Sequence, residues 1–316
     1  MFSYHDFEDV FSFDTGCVYN PKLCRAIEAN RKSLLGLFID QIMKRIGIRG
    51  LATKLFPPKS NGDLRKLHQA VIDSAGQDQD KISVLYYILL HIDATTGKRE
   101  HSTKFAGSSF LPETYQITAK GLWHMDQKEF DIAVQYLTHP SLTPAFPDEV
   151  LENLVRYSQD LSLGLAYYHS VQPVLKQRSA IECFFSAAAR TSVTEAFYFS
   201  RAQPEHTQRH MFEMLIAVVL NNSSKDPKET AAGRSVELVN LPFSVEENLW
   251  FEDYLCHGEG TELPKSRDTV MFRRIATGQL TESLKTELGS NRAIGGLGWK
   301  NIANAVGNGL GPRLEE

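Results

Sequence analysis

From Leu34 onward the apolar residues recur at i, i+3 and i+4, and short turns carrying Pro, Gly, Asp or Asn interrupt them. Period-two alternation is almost absent, so the chain cannot build half-buried strands, and the pattern predicts an all-α protein. Leu34, Leu35, Phe38, Ile42, Met43 and Ile46 mark one face of a first long helix that stops at Gly47 to Gly50. Residues 63–74 and 81–92 read as a helical pair. The second is apolar on nearly all sides from Val84 to Leu90 and belongs in the interior. Proline suits the first helical turn, where its φ is already right and no N–H is needed, so Pro112, Pro147, Pro204 and Pro227 each open a segment. Further helices are predicted at 113–125, 127–138, 161–171, 178–191, 193–201, 205–220, 228–239, 245–256 and 267–277. Such lengths with short connections suit antiparallel neighbours stacked in series, an irregular helical-repeat, α-solenoid-like array. The spacing of Gly121, Ala133 and Leu137 predicts that two neighbouring helices approach closely there.

The length of 316 residues and the 42% hydrophobic content are enough for a full core. The composition shifts after Leu280, where residues 281–316 hold seven of the 21 glycines. That disfavours a packed helix. The expected division is therefore a helical domain over 1–280 and a flexible tail over 281–316. Within the tail Ile294, Leu297, Trp299, Ile302 and Val306 are expensive to leave in water, so the segment either folds back on its own domain or orders on a partner.

Charge and chemistry narrow the function. The sum of 34 cations and 38 acids is −4, which lacks the basic footprint of a phosphate-backbone binder, so direct nucleic-acid binding is not expected. The longest apolar runs, Val84 to Leu90 and Met214 to Leu220, have seven residues, far short of the roughly 20 that a spanning helix needs. The N-terminus lacks a basic stretch followed by an apolar core, so no secretory signal is expected. Cys17, Cys24, Cys183 and Cys256 are too scattered for a disulfide framework and read as reduced packing residues of a cytosolic or nuclear protein.

No phosphate-cradling Gly-rich string, Gly-x-Ser-x-Gly elbow or His-Glu-x-x-His pair occurs. His206 and His210 stand four apart but lack further ligands nearby in sequence, and read as a polar helix face. Asp78, Asp80, Glu246 and Glu247 read as solvated surface, without the Asp-Asp-x-x-Asp motif of an all-helical synthase. His91, His124, His139 and His169 read as capped or core-edge residues. Trp123, Tyr167, Tyr168, Phe197, Tyr198 and Phe199 read as core fillers between stacked helices.

Several strings resemble the fungal ELYS-type nuclear pore assembly domain. They are Leu85-Tyr86-Tyr87-Ile88-Leu89-Leu90 leading to Asp93-Ala94-Thr95-Thr96-Gly97-Lys98-Arg99, then Gly121-Leu122-Trp123-His124-Met125-Asp126 and Tyr136-Leu137-Thr138-His139-Pro140-Ser141-Leu142. Ala166-Tyr167-Tyr168-His169-Ser170-Val171-Gln172-Pro173 follows, then the run from Arg190 to Arg201, and Arg273-Arg274-Ile275-Ala276-Thr277-Gly278 closes the series. The resemblance implies a non-enzymatic nucleoporin on the short arm of the Y-shaped outer-ring subcomplex, in the nucleus at the nuclear envelope. Its implied neighbours are the large propeller-plus-solenoid subunit and the small β-propeller subunit of that arm. Animal members add a β-propeller and a basic tail with AT-hooks. Neither is read in this sequence, since Gly311-Pro312-Arg313 is not an Arg-Gly-Arg-Pro hook.

No catalytic, cofactor-binding or metal-binding residues and no small-molecule substrate are therefore expected. Lys98, Arg99, Ile294, Leu297, Trp299 and Ile302 are the candidate partner contacts. The loop from Ala94 to Arg99 has a plainer reading, a connecting turn whose threonines cap the next helix. The alternative function is a generic helical-repeat adaptor of another multisubunit assembly.

Overall fold

The computed structural model describes residues 2–11, 19–34, 36–97, 100–221, 228–279 and 298–308. Among them are eighteen α-helices, one short 3-10 turn and no strand. The chain divides into two compact units, 1–184 and 185–316, with the boundary inside the helix Arg178–Thr191.

The first unit contains α1 (Phe7–Val10), α2 (Pro21–Ser33), α3 (Phe38–Arg45), α4 (Ala52–Leu55), α5 (Asn61–Ile72) and α6 (Asp78–Thr96). It continues with α7 (His101–Ser108), α8 (Glu113–Asp126), α9 (Phe130–Leu137), α10 (Pro147–Tyr157), α11 (Ser162–Val171) and the start of α12 (Arg178–Thr191). Helix α6 is its axis and packs against α3, α5, α7 and α8. Val84 to Leu89 are at most 1% exposed, as the all-round apolar pattern predicts. Each fully buried aliphatic or aromatic side chain there contributes about 1.5–3 kcal/mol. The helix ends at Gly97, whose φ of 71° closes the last turn by donating to the Asp93 carbonyl.

The predicted first long helix, with its face from Leu34 to Ile46, is the shorter α3, and α2 ends before it at Ser33. Gly36, at φ 97°, breaks the chain, and α3 starts only at Phe38. Its first amides are satisfied by Asp126 at the far end of α8, not by a neighbouring residue. Helix α2 escaped the periodicity because few of its residues are buried, Cys24 and Ile27 among them. Its start is nonetheless written locally, with Asn20 accepting from the Leu23 amide and Pro21 in the first position. At Gly121 the predicted close approach is present: a Cβ there would lie 2.6 Å from Leu137 of α9.

The second unit holds the rest of α12, then α13 (Val193–Arg201), α14 (Glu205–Leu220), α15 (Lys228–Asn240), α16 (Val245–Cys256), the 3-10 turn Glu259–Glu262, α17 (Ser266–Ala276) and α18 (Trp299–Gly307). Helix α14 packs against α13, α15 and α16, around the fully buried rings of Phe197, Phe212 and Phe251. Pro204 stands just ahead of α14, whereas Pro227 lies outside the described residues. The glycine content argued against helix beyond Leu280, yet α18 is helical. Its interior Lys300 to Val306 is free of glycine, and Gly298 and Gly307 fall at its ends.

Candidate functional site

Carboxylates in the first unit act as caps delivered across the fold. Asp126, 2% exposed, accepts from the Phe38 amide at 2.8 Å, the Ile39 amide at 3.2 Å and the Tyr87 hydroxyl at 2.7 Å. The same residue's carbonyl accepts from the Asn30 side chain at 2.9 Å, so one position ties α2, α3, α6 and α8 together. Burial pushes the Asp126 carboxyl up to about 7, against the three donors, which favour the anion. Asp93 accepts from the His101 and Ser102 amides and, at 2.5 Å, from the Ser102 hydroxyl, which starts α7. Thr95 and Thr96 do not cap that helix. They lie inside α6 and donate back to the His91 and Ile92 carbonyls at 2.8 and 2.9 Å. Asp148 likewise accepts from the Lys176 and Gln177 amides ahead of α12.

In the second unit arginines do the equivalent work on carbonyls. The Arg273 guanidinium donates to the Val239 and Leu241 carbonyls at 2.7 and 2.6 Å and lies 4.1 Å over the Phe243 ring. Burial pulls its pKa down. Arg201 forms a two-pronged pair with Glu247 at 2.8 and 2.6 Å, donates to the Pro242 carbonyl and covers the Phe197 ring. Glu247 is thus not the solvated acid the sequence suggested: it is 7% exposed and also accepts from the Ser244 amide. Burial pushes its pKa up, and the bonds from Arg201 and Ser244 overcome that and hold it below the usual range. Together the two arginines fix the connection between α15 and α16.

Of the histidines and rings read as capped, core-edge or core residues, His91, Tyr167 and Phe197 are buried, whereas His139, His169 and Tyr198 are exposed. His91 is buried among Phe56, Tyr87 and Trp123, and burial drives its pKa down to about 3, so it stays neutral. His206 and His210 are exposed. Among the described residues no group of three or more His, Cys, Asp or Glu could hold a metal ion. Tyr167 and Phe197 are core, whereas Tyr198 is 52% exposed, because it sits next to Phe197 on α13 and so faces outward.

A cleft of about 360 Å³ in the first unit lies between α3, α6, α8 and the loop 141–146. Arg45 and Asp80 on its lining pair with each other at 3.8 Å. Among the described residues no helix is long and apolar enough to cross a membrane. Of the predicted contacts, Lys98, Arg99, Ile294 and Leu297 lie outside the described residues. Trp299 and Ile302 lie on α18. The Trp299 indole donates to Asp268 at 2.7 Å and its ring meets Phe272 edge-on at 5.4 Å, so this residue docks on α17 of its own unit. Ile302 is 37% exposed. Sequence reasoning singled out none of Asp126, Asp148, Glu247 or Arg273 for these anchoring roles, since the main partners are distant in sequence; only Glu247 had a local signal, the Ser-x-x-Glu capping box with Ser244.

The uncharacterized protein ely5 of Schizosaccharomyces pombe is 28% identical over 246 residues, which is 76% of this chain and 76% of that protein. The ELYS family, described as nuclear pore complex assembly, matches residues 36–258. That span runs from the Gly36 break to the end of α16 and includes Asp93, Asp126, Asp148, Arg201 and Glu247. With most of the helices and most of the side chains that lock them falling inside the match, the chain belongs to the ELYS nuclear pore complex assembly family.

Proposed function

We propose that this chain is a non-enzymatic scaffold subunit of the nuclear pore complex at the nuclear envelope, joined to the short arm of the Y-shaped outer-ring subcomplex. There it meets the large propeller-plus-solenoid subunit and the small β-propeller subunit, and so supports pore assembly and nucleocytoplasmic transport. The family match over 36–258 carries this reading. It is supported by how the interior charges are used: Asp93, Asp126 and Asp148 hold helix N-termini, and Arg201 and Arg273 hold a loop, which builds a firm surface and leaves no reactive constellation at these positions.

The helical domain over 1–280 supplies the main contact face, with Lys98 and Arg99 beyond the end of α6 as contact residues. The segment 281–316 adds a second contact through Ile294, Leu297, Trp299 and Ile302. Size-exclusion chromatography of the purified chain with the two short-arm subunits tests the reading. A shared, earlier-eluting peak is expected; separate elution at micromolar concentrations would refute the assignment.

A further inference from the structure

The loop 138–146 between α9 and α10 carries a residue whose chemistry the scaffold role does not use. Of the 13 prolines in the chain, only Pro144 follows a serine or threonine. The residue before it, Thr143, is exposed and lies outside any helix, and a residue ahead of proline is pushed into an extended backbone. The turn that leads in is pinned: the Leu142 amide donates to the His139 carbonyl at 3.0 Å and the Ser141 amide to the His139 ring at 3.3 Å. On the far side the Phe146 carbonyl accepts from the Val150 amide at 2.9 Å, which starts α10. Between these pins, among the described residues, neither the Thr143 nor the Ala145 amide donates a hydrogen bond, and the Thr143 hydroxyl has no partner.

Thr143 differs in this from the other hydroxyls along the cleft it lines. Ser83, Thr114, Tyr115 and Thr118 lie within helices, where the Ser83 hydroxyl donates to the Gln79 carbonyl and the Thr118 hydroxyl to the Thr114 carbonyl. The Ser141 hydroxyl is engaged with the His139 ring at 2.7 Å. The cleft also brings a cation to the loop. Arg45 of α3 lines it together with Thr143; its side chain is 61% exposed, and at 3.8 Å its pair with Asp80 is a loose one. A phosphate on Thr143 would carry a charge of about −1.5 to −2 and three acceptor oxygens, against the single charge of the Asp80 carboxylate. A guanidinium can meet two such oxygens at once. Asp80 repels that phosphate, and Arg45, being mostly exposed, can turn from the one to the other.

We propose that Thr143 is phosphorylated by a proline-directed serine/threonine kinase and that Arg45 takes up the phosphate, tying the loop 138–146 to α3. In the transfer the Thr143 Oγ1 attacks the γ-phosphorus of ATP and the bond from that phosphorus to the β–γ bridging oxygen breaks. ADP leaves, and the hydroxyl proton passes to the catalytic aspartate of the kinase. Such a kinase takes its substrate as an extended strand with the acceptor hydroxyl uncovered. The Thr143-Pro144 step, the unengaged hydroxyl and the unbonded amides supply that shape without unwinding α9 or α10. The site does not depend on which assembly the chain joins.

The purified full chain, incubated with ATP, Mg²⁺ and an active mitogen-activated protein kinase, tests both parts. Fragmentation mass spectrometry should place a phosphate on Thr143, and Thr143→Ala and Pro144→Ala should each abolish it. In ³¹P NMR the phosphate of the folded chain should titrate about half a unit or more below the roughly 6 of an unpaired one, and Arg45→Gln should bring it back. Thr143 of the folded chain left unmodified, whether or not a synthetic peptide of residues 137–149 is phosphorylated, overturns the proposal. So does a phosphate that titrates alike in the parent and in Arg45→Gln.

Discussion

Replacing Asp126 by Asn sets two physical effects against each other. Three donors converge on the carboxyl group and favour the anion, whereas burial favours the acid and raises the pKa from 3.8 to about 7. If burial wins, the folded chain carries a proton here between pH 4 and 7 that the unfolded chain lacks. The group's contribution to stability is then fully present below about pH 4 and is lost as pH rises through 7, at about 1.4 kcal/mol per unit. Asn does not titrate, and its amide turns an N–H toward a backbone donor, at a cost of roughly 1–3 kcal/mol at pH 7.5. The advantage of the parent over Asp126→Asn should therefore widen by roughly 2–3 kcal/mol on going from pH 7.5 to pH 5. Urea unfolding followed by Trp123 fluorescence, with Trp250 and Trp299 replaced by Phe, reads this difference. An advantage that narrows on acidification would mean that the cap is an ordinary anion and that burial has been given too much weight.

Gly121→Leu places a side chain where a Cβ alone would meet Leu137 at 2.6 Å, so it should force α8 and α9 apart and destabilise the first unit by about 1–3 kcal/mol; an unchanged urea midpoint would reject the close approach. Arg273→Met strands the Val239 and Leu241 carbonyls. It should cost about 2–4 kcal/mol in the thermal unfolding of the second unit, and a loss below about 1 kcal/mol would show that water or a neighbour replaces the guanidinium. Among the described residues, truncation at Leu280 removes the Trp299 indole hydrogen bond and its edge-on contact with Phe272. The thermal transition should fall by no more than about 1–2 kcal/mol while co-elution with outer-ring subunits weakens; a larger fall would place Trp299 in the core of the unit.

The helices were legible wherever the sequence states them locally. Arg178–Thr191, Val193–Arg201, Glu205–Leu220 and Val245–Cys256 match the expected bounds, because a capping serine or a proline stands immediately before several of them. The interior burial of α6 followed from its unbroken apolar run. What stayed hidden is what depends on distance. Phe38 is 88 positions from the acid that caps it, so the break before α3 has no local cue beyond Gly36, and a continuous apolar stripe reads through it. Arg273 lies in an arginine pair on a short amphipathic helix, a pattern that looks like a solvated face until the carbonyls of Val239 at the end of α15 and Leu241 just beyond it, 34 and 32 residues earlier, are brought under it. Helices α2 and α7 were missed for a different reason: they bury few side chains, so periodicity carries little signal, and the start of α2 is marked by the cap at Asn20 and by Pro21 alone. At the candidate interface, composition drew attention to Trp299 as an apolar residue in a glycine-rich stretch, and the structure gives it a partner in Asp268 of its own unit.

The central claim is that the chain works at the nuclear pore through its surfaces. Imaging of the fluorescently tagged full chain, expressed at its natural level, tests it most directly. A punctate ring at the nuclear envelope that coincides with outer-ring subunits is predicted, and a diffuse cytosolic signal would contradict it.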